Sequence, residues 1–137
     1  MALSPRVWNS GAGKLIEVVA AIIQREDKYF VARRKTGKHL EGFWEFPGGK
    51  IEEGESPETS LQRELQEEFG VTVEVGTFLG ENTHDYGSAI IRLKAYRVLS
   101  SEELKESVDH DMIKWCTLDQ LKRLQLAPAD VPLLEHI

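Results

Sequence analysis

The sequence has one cysteine, Cys116, among its 137 residues. A single thiol excludes an internal disulfide framework and a cysteine-rich zinc site, so Cys116 reads as a small core residue. Long apolar runs are also missing. No stretch reaches the roughly 18 uninterrupted apolar residues of a membrane-spanning helix. Basic charge is in deficit: 17 Lys and Arg face 23 Asp and Glu, a formal net charge of −6. That balance argues against a surface for nucleic-acid polymers. It leaves small phosphorylated ligands open, because divalent cations bridge acidic side chains to phosphate oxygens. The first residues, MALSPRVWNSGAG, lack a basic start followed by an apolar run, so they do not read as a secretory signal. Residues 1–13 read as a flexible tail or an expression remnant, and residues 14–137 as one domain in a cytoplasmic protein. With 41% apolar and 29% charged residues the composition is that of an ordinary globular domain.

The apolar, β-branched run Leu15–Ile23 predicts a buried strand. A polar turn over residues 24–28 leads to a second strand, Tyr29–Arg34, expected to run antiparallel to the first. Residues 36–42 read as a polar loop, and Phe43–Phe46 as a short extended segment ended by Pro47-Gly48-Gly49. Ser56-Pro57 is a helix start, with a serine N-cap and proline at the first helical position. That helix should run to Phe69 and stop at Gly70. Further strands are expected at Thr72–Leu79, Ala89–Leu99 and Met112–Cys116. Ser101–Ser107 reads as a polar loop or a short helix. Thr117 and Gln120 form a capping box for another helix, and Asp130 is placed to cap a last short one. Irregular alternation of strands and helices suggests a mixed sheet with helices on both faces.

Residues 48–71 read GGKIEEGESPETSLQRELQEEFGV. On the predicted helix Glu64, Glu67 and Glu68 fall within an arc of roughly 100°. Leu61, Leu65 and Phe69 occupy a neighbouring arc of roughly 80°. The greasy side packs on the sheet, and three carboxylates line one edge of that contact. Like charges so spaced destabilise a helix, and a hard divalent cation, which prefers oxygen donors, removes the repulsion. Taken alone, such a trio is more often a solvated face. The adjoining glycines let a backbone carbonyl approach closely.

The complete pattern resembles the Nudix box. Gly49, Glu55, Arg63, Glu64, Leu65, Glu67, Glu68, Gly70 and Val71 fill all its positions. Seven fixed residue types at roughly one in fifteen each make a chance match on the order of one in 10⁸ per start site. EVVAAII, the Ala32-Arg33-Arg34 strand end, GFWEFPGGK and LAPADVPLL are similar to the MutT-type branch, and within it to the CTP-hydrolysing members. The resemblance implies an α+β fold, an α/β/α sandwich around a mixed sheet, and hydrolysis of a nucleoside triphosphate to monophosphate and pyrophosphate. It implies Mg²⁺, or Mn²⁺, held by Glu64, Glu67, Glu68 and the Gly48 carbonyl. Glu64 or Glu67 would act on the attacking water. Arg63 would pair with a carboxylate such as Glu55. Asp109 matches the place of a further acidic ligand, or else is an exposed loop aspartate. Arg34 suits the phosphate chain, or is a surface arginine.

Asp130 bears on the base. When ionised it only accepts hydrogen bonds, which fits the cytosine amino group and also the N1/N2 edge of guanine; its other reading is a helix cap. Phe46, Trp44, Phe78 and Tyr86 could offer stacking surface, though each is individually more often core. His39 and His84 read as solvated loop residues without a role. CTP, dCTP, 5-methyl-dCTP and oxidised deoxynucleotides are the expected substrates, with a possible part in clearing the nucleotide pool. The alternatives are other nucleoside diphosphate-linked compounds (dinucleoside polyphosphates, ADP-ribose) or a non-catalytic nucleotide sensor. The expected partner is a small nucleotide, not a membrane or nucleic-acid polymer, and the expected state is a monomer or homodimer.

Overall fold

The computed structural model describes residues 14–105 and 107–137; the expected N-terminal tail, residues 1–13, lies outside them. Strand β1, Lys14–Ile22, carries the apolar run and is buried along most of its length. Its two edges are occupied by β5, Gly48–Lys50, antiparallel, and β7, Ala89–Ser100, parallel. Strand β6, Val73–Asp85, completes a mixed sheet of order β5-β1-β7-β6. A second sheet joins β2, Gln24–Arg25, β3, Lys28–Arg34, and β4, Trp44–Glu45, with β8, His110–Cys116, on the other edge of β3.

The expected antiparallel pairing of the first two long strands is therefore corrected. Residues 24–29 do form a tight hairpin, with Glu26 at φ 56°, but its arms are β2 and β3. The chain passes from one sheet to the other at Ile23, whose carbonyl accepts from Phe30 N at 3.0 Å. A strand as uniformly apolar as β1 suits a position buried on both faces, and its side chains do enter both cores. Strand β6 also outruns its expected end at Leu79. The polar residues 81–85 pair with β7, across register shifts between Val75 and Gly80. The described residues of 101–107 form no helix, and β8 begins two residues before Met112.

Helix α1, Pro57–Phe69, forms where the capping residues place it. Ser56 Oγ accepts from Thr59 N at 3.1 Å. Gly70 ends the helix at φ 68°, a left-handed conformation that glycine adopts without a Cβ penalty. Helix α2, Leu118–Arg123, carries the Thr117–Gln120 capping box, and a 3₁₀ helix spans Val131–His136. Alternation along the strands divides the interior in two. Val19, Ala21, Phe30 and Ala32 pack with Leu61, Leu65 and Phe69 of α1. Ala20, Ile22, Tyr29 and Val31 pack with Leu121 of α2, with Leu133 of the 3₁₀ helix and with Cys116, as expected for that thiol. Helical layers thus cover both faces of the strands, the sandwich expected from the sequence.

Leu65 is fully buried in the first of these cores. Leu65→Ala removes packing that neighbours cannot refill, and should cost about 2–5 kcal/mol of stability in chemical denaturation.

Candidate active site

The loop between β5 and α1 is tied to the helix by one guanidinium. Arg63 Nε and one of its terminal nitrogens donate to the two oxygens of Glu55 at 2.7 and 2.9 Å, a bidentate pair. The same terminal nitrogen donates to the Lys50 carbonyl at 3.0 Å. The other donates to Glu64 at 3.0 Å and Glu67 at 3.2 Å. The Arg63 hydrogen bonds hold the Glu55 carboxyl down to about 2. Arg63 and Glu55 meet as expected, and Arg63 also separates two of the three box carboxylates.

Those carboxylates sit in different environments. Glu67 is exposed and Glu64 is largely covered. Glu64 lies so close to Gly49 that a Cβ there would stand 2.3 Å from its carboxyl carbon, so any side chain at 49 would displace it. A Cβ on Gly48 would collide with the Val19 carbonyl at 1.9 Å. The two glycines thus let β5 run between β1 and the helix. Glu68 is buried at 8% exposure, and its Oε2 has no hydrogen-bond partner. Burial, reinforced by Glu45, Glu64 and Asp109, pushes its carboxyl up to about 9. Burial also raises Glu64, against the pull of Arg63.

A partnerless buried carboxylate oxygen among like charges suits an added cation, and carboxylates are the donors a hard divalent ion prefers. The donor chemistry therefore fits Mg²⁺ or Mn²⁺. Among the described residues, however, no three His, Cys, Asp or Glu side chains are gathered tightly enough to form a ready cage. Asp109 is ion-paired to Lys38 at 2.9 Å.

Beside this face lies a cavity of about 370 Å³ lined by Arg34, Phe46, Gly48, Gly49, Tyr86 and Asp130, among others. Three sequence-predicted binding residues, Arg34, Phe46 and Asp130, thus share one space with Gly48 and Gly49. The Asp130 side chain does not cap the 3₁₀ helix. Its Oδ2 accepts from Phe46 N at 2.9 Å. It extends a ladder in which Trp44 N donates to Gln125 O and Ala127 N donates to Trp44 O, both at 2.8 Å. Burial, with the Glu45 charge added, raises the Asp130 carboxyl well above its ordinary value. Among the described residues, the one hydrogen bond of this carboxyl is as an acceptor, from a backbone N–H.

Of the expected stacking residues, Phe46 and Tyr86 line the cavity. Trp44 is buried beneath Arg33 and Lys114, and Phe78 lies against Tyr96. His39 is exposed, as expected, and stands at the cavity wall with its ring against Tyr86. His84 also stands against Tyr86, with ring centroids 4.4 Å apart. Sequence reading missed Glu45 and His110. Glu45 accepts from Arg34 at 3.3 Å and lies 2.8 Å from His110 Nε2. His110 is buried, 2.6 Å from Ser107 Oγ and 3.9 Å from Glu68. A charged residue between two core aromatics, Trp44 and Phe46, was the available signal for Glu45: strand alternation turns it to the other face.

Residues 18–136 match the NUDIX domain family model. The chain is 40% identical over 122 residues to the CTP pyrophosphohydrolase of Escherichia coli, covering 89% of this chain and 90% of that protein. It is 31% identical over 125 residues to the 8-oxo-dGTP diphosphatase of the same organism, covering 90% and 97%. Among solved structures, the E. coli ORF135 protein superposes with a TM-score of 0.80 at 40% identity, covering 90% of this chain and 89% of that one. A MutT NUDIX hydrolase from Burkholderia pseudomallei gives 0.82 at 26% identity, covering 90% and 98%.

Glu68 yields a test that needs no substrate. Its carboxyl is raised from an ordinary 4.5 to about 9, so stability that depends on its proton is complete below 4.5 and lost as pH rises through about 9. Metal-free Glu68→Gln should therefore gain thermal stability over the parent protein across that window. Mg²⁺ should raise the melting temperature of the parent and leave the variant unmoved. Equal Mg²⁺ shifts in both would remove Glu68 from the cation site.

Proposed function

The chain belongs to the Nudix family of hydrolases, and on that footing we propose that it cleaves a nucleoside triphosphate to the monophosphate and pyrophosphate with Mg²⁺ bound, preferring CTP, dCTP or a modified cytosine nucleotide. One observation carries the reading: a single cavity is lined both by Gly48 and Gly49 of β5, beside Glu64, and by the buried Asp130. Phosphates at the first and a base at the second match the two ends of one nucleotide.

Glu64, Glu67 and Glu68, with the Gly48 carbonyl, would hold the cation, and Asp109 would join them on release from Lys38. A bound divalent cation neutralises phosphate charge and lowers the pKa of a coordinated water. Glu64 or Glu67 accepts the proton of the attacking water, whose oxygen bonds to phosphorus as the α–β bridging bond breaks. Arg34, oriented by Glu45 and by the His39 carbonyl at 3.1 Å, faces the phosphate chain. Phe46 and Tyr86 flank the base. An Asp130 carboxyl oxygen accepts from the cytosine amino group.

The relatives named for oxidised guanine nucleotides support a second reading, in which an 8-oxo-dGTP edge meets Asp130. A panel of CTP, dCTP, 5-methyl-dCTP, 8-oxo-dGTP, ADP-ribose and dinucleoside polyphosphates, assayed for pyrophosphate and phosphate, separates the two. Cytosine nucleotides should lead and release pyrophosphate. Faster cleavage of ADP-ribose or a dinucleoside polyphosphate would displace the proposal. Glu67→Gln should abolish turnover while the protein stays folded, as circular dichroism would record.

Asp130→Asn should change relative rates across the bases and leave the Mg²⁺ concentration for half-maximal activity nearly unchanged. Identical base preference in the variant would detach Asp130 from recognition.

A further inference from the structure

The hairpin of β6 and β7 reaches past the sheet to the segment that carries Asp130. Two side chains make the contact, and both act on Ala129. Tyr86 Oη accepts from Ala129 N at 3.0 Å. Asn82 Nδ2 donates to Ala129 O at 3.2 Å. The two peptide groups that flank Ala129 are therefore held from one side, immediately before Asp130. From the other side Asp130 N donates to Ala127 O at 2.8 Å. The same hairpin also abuts the 3₁₀ helix: a Cβ on Gly80 would stand 2.7 Å from the His136 ring. The hairpin tip is itself braced, since Asp85 Oδ1 accepts from Gly87 N at 2.7 Å and Tyr86 N donates to Ala89 O at 2.8 Å.

From this double contact we infer that Asn82 and Tyr86 are positioning residues for base recognition, clamping Ala129 so that the Asp130 carboxyl is presented in one orientation to the cavity. The inference rests on the reading that Asp130 meets the base. The physical argument is orientational. Among the described residues, the Asp130 side chain has a single hydrogen bond, from Phe46 N, at Oδ2. That bond alone leaves the carboxyl plane free to turn about its own axis unless the backbone beneath it is fixed. A carboxyl that must present one particular oxygen to a base edge requires such fixing. Within the polar run Glu81–Asp85, Asn82 thus has a partner beyond the sheet. Tyr86 serves twice, its ring as a cavity wall and its hydroxyl as the acceptor.

Asn82→Asp keeps shape and removes the donor, and Tyr86→Phe keeps the ring wall and removes the acceptor. Each loses one hydrogen bond of about 0.5–1.5 kcal/mol, equivalent to about 2- to 10-fold. In each folded variant KM for the preferred nucleotide should rise about 2- to 10-fold with kcat nearly unchanged, and the preference over the other bases should shrink. Amide exchange at Ala129 and Phe46, read by NMR without substrate, should accelerate. Unchanged exchange at both amides overturns the clamp. Accelerated exchange with an intact base preference overturns its role in recognition. A parent protein with no base preference sinks instead the reading of Asp130 on which the inference rests, and is recognised before any variant is made.

Discussion

Arg63 is the point on which the site depends. One planar cation spans Glu55, the Lys50 carbonyl, Glu64 and Glu67, and so joins the loop after β5 to the middle of α1. Its rigid fork matches a carboxylate through two parallel hydrogen bonds, which a lysine cannot reproduce. The loop could otherwise vary in length and path. With it fixed, Gly49 is pressed against Glu64, and the turn and the helix become one surface.

Around that anchor the protein collects more negative charge than it neutralises. Glu45, Glu64 and Asp109 crowd Glu68, which is left with a partnerless buried oxygen. Buried polar groups without partners are rare because desolvation is costly. Arg34 and Lys38 take up part of the charge through Glu45 and Asp109, and His110 Nε2 lies 2.8 Å from Glu45. The remainder is a standing electrostatic demand for a cation. Stability given up at such a place is a common mark of function.

The base end of the cavity is built differently. There the structure uses backbone ladders and side-chain hydrogen bonds, with the Asp130 carboxyl standing in for a main-chain carbonyl opposite Phe46. Segments far apart in sequence, the strand at 44–46, the hairpin at 82–86 and the turn at 127–130, converge on that carboxyl. No local pattern announces such a meeting. Glu45 and His110 escaped notice for the same reason, since each is significant through neighbours about 65 residues away. His39 is an exposed loop residue, as expected, and its ring also meets Tyr86.

Sequence by itself determined what is local and periodic. The caps of α1 and α2, the glycine stop at Gly70, the shared arc of carboxylates and the apolar character of β1 all follow from residues within a few turns of one another, where spacing dictates geometry. Tertiary structure alone decided which strands pair. It moved β3 into a second sheet and carried β6 on to Asp85, because edges are allotted by the whole set of competing strands. It also decided ionisation. Glu67 and Glu68 are adjacent and chemically identical, yet one stands in water and the other is pushed up to about 9. Only the packed protein distinguishes them, because a carboxyl's charge is set by the solvent and neighbours that remain once the chain has folded.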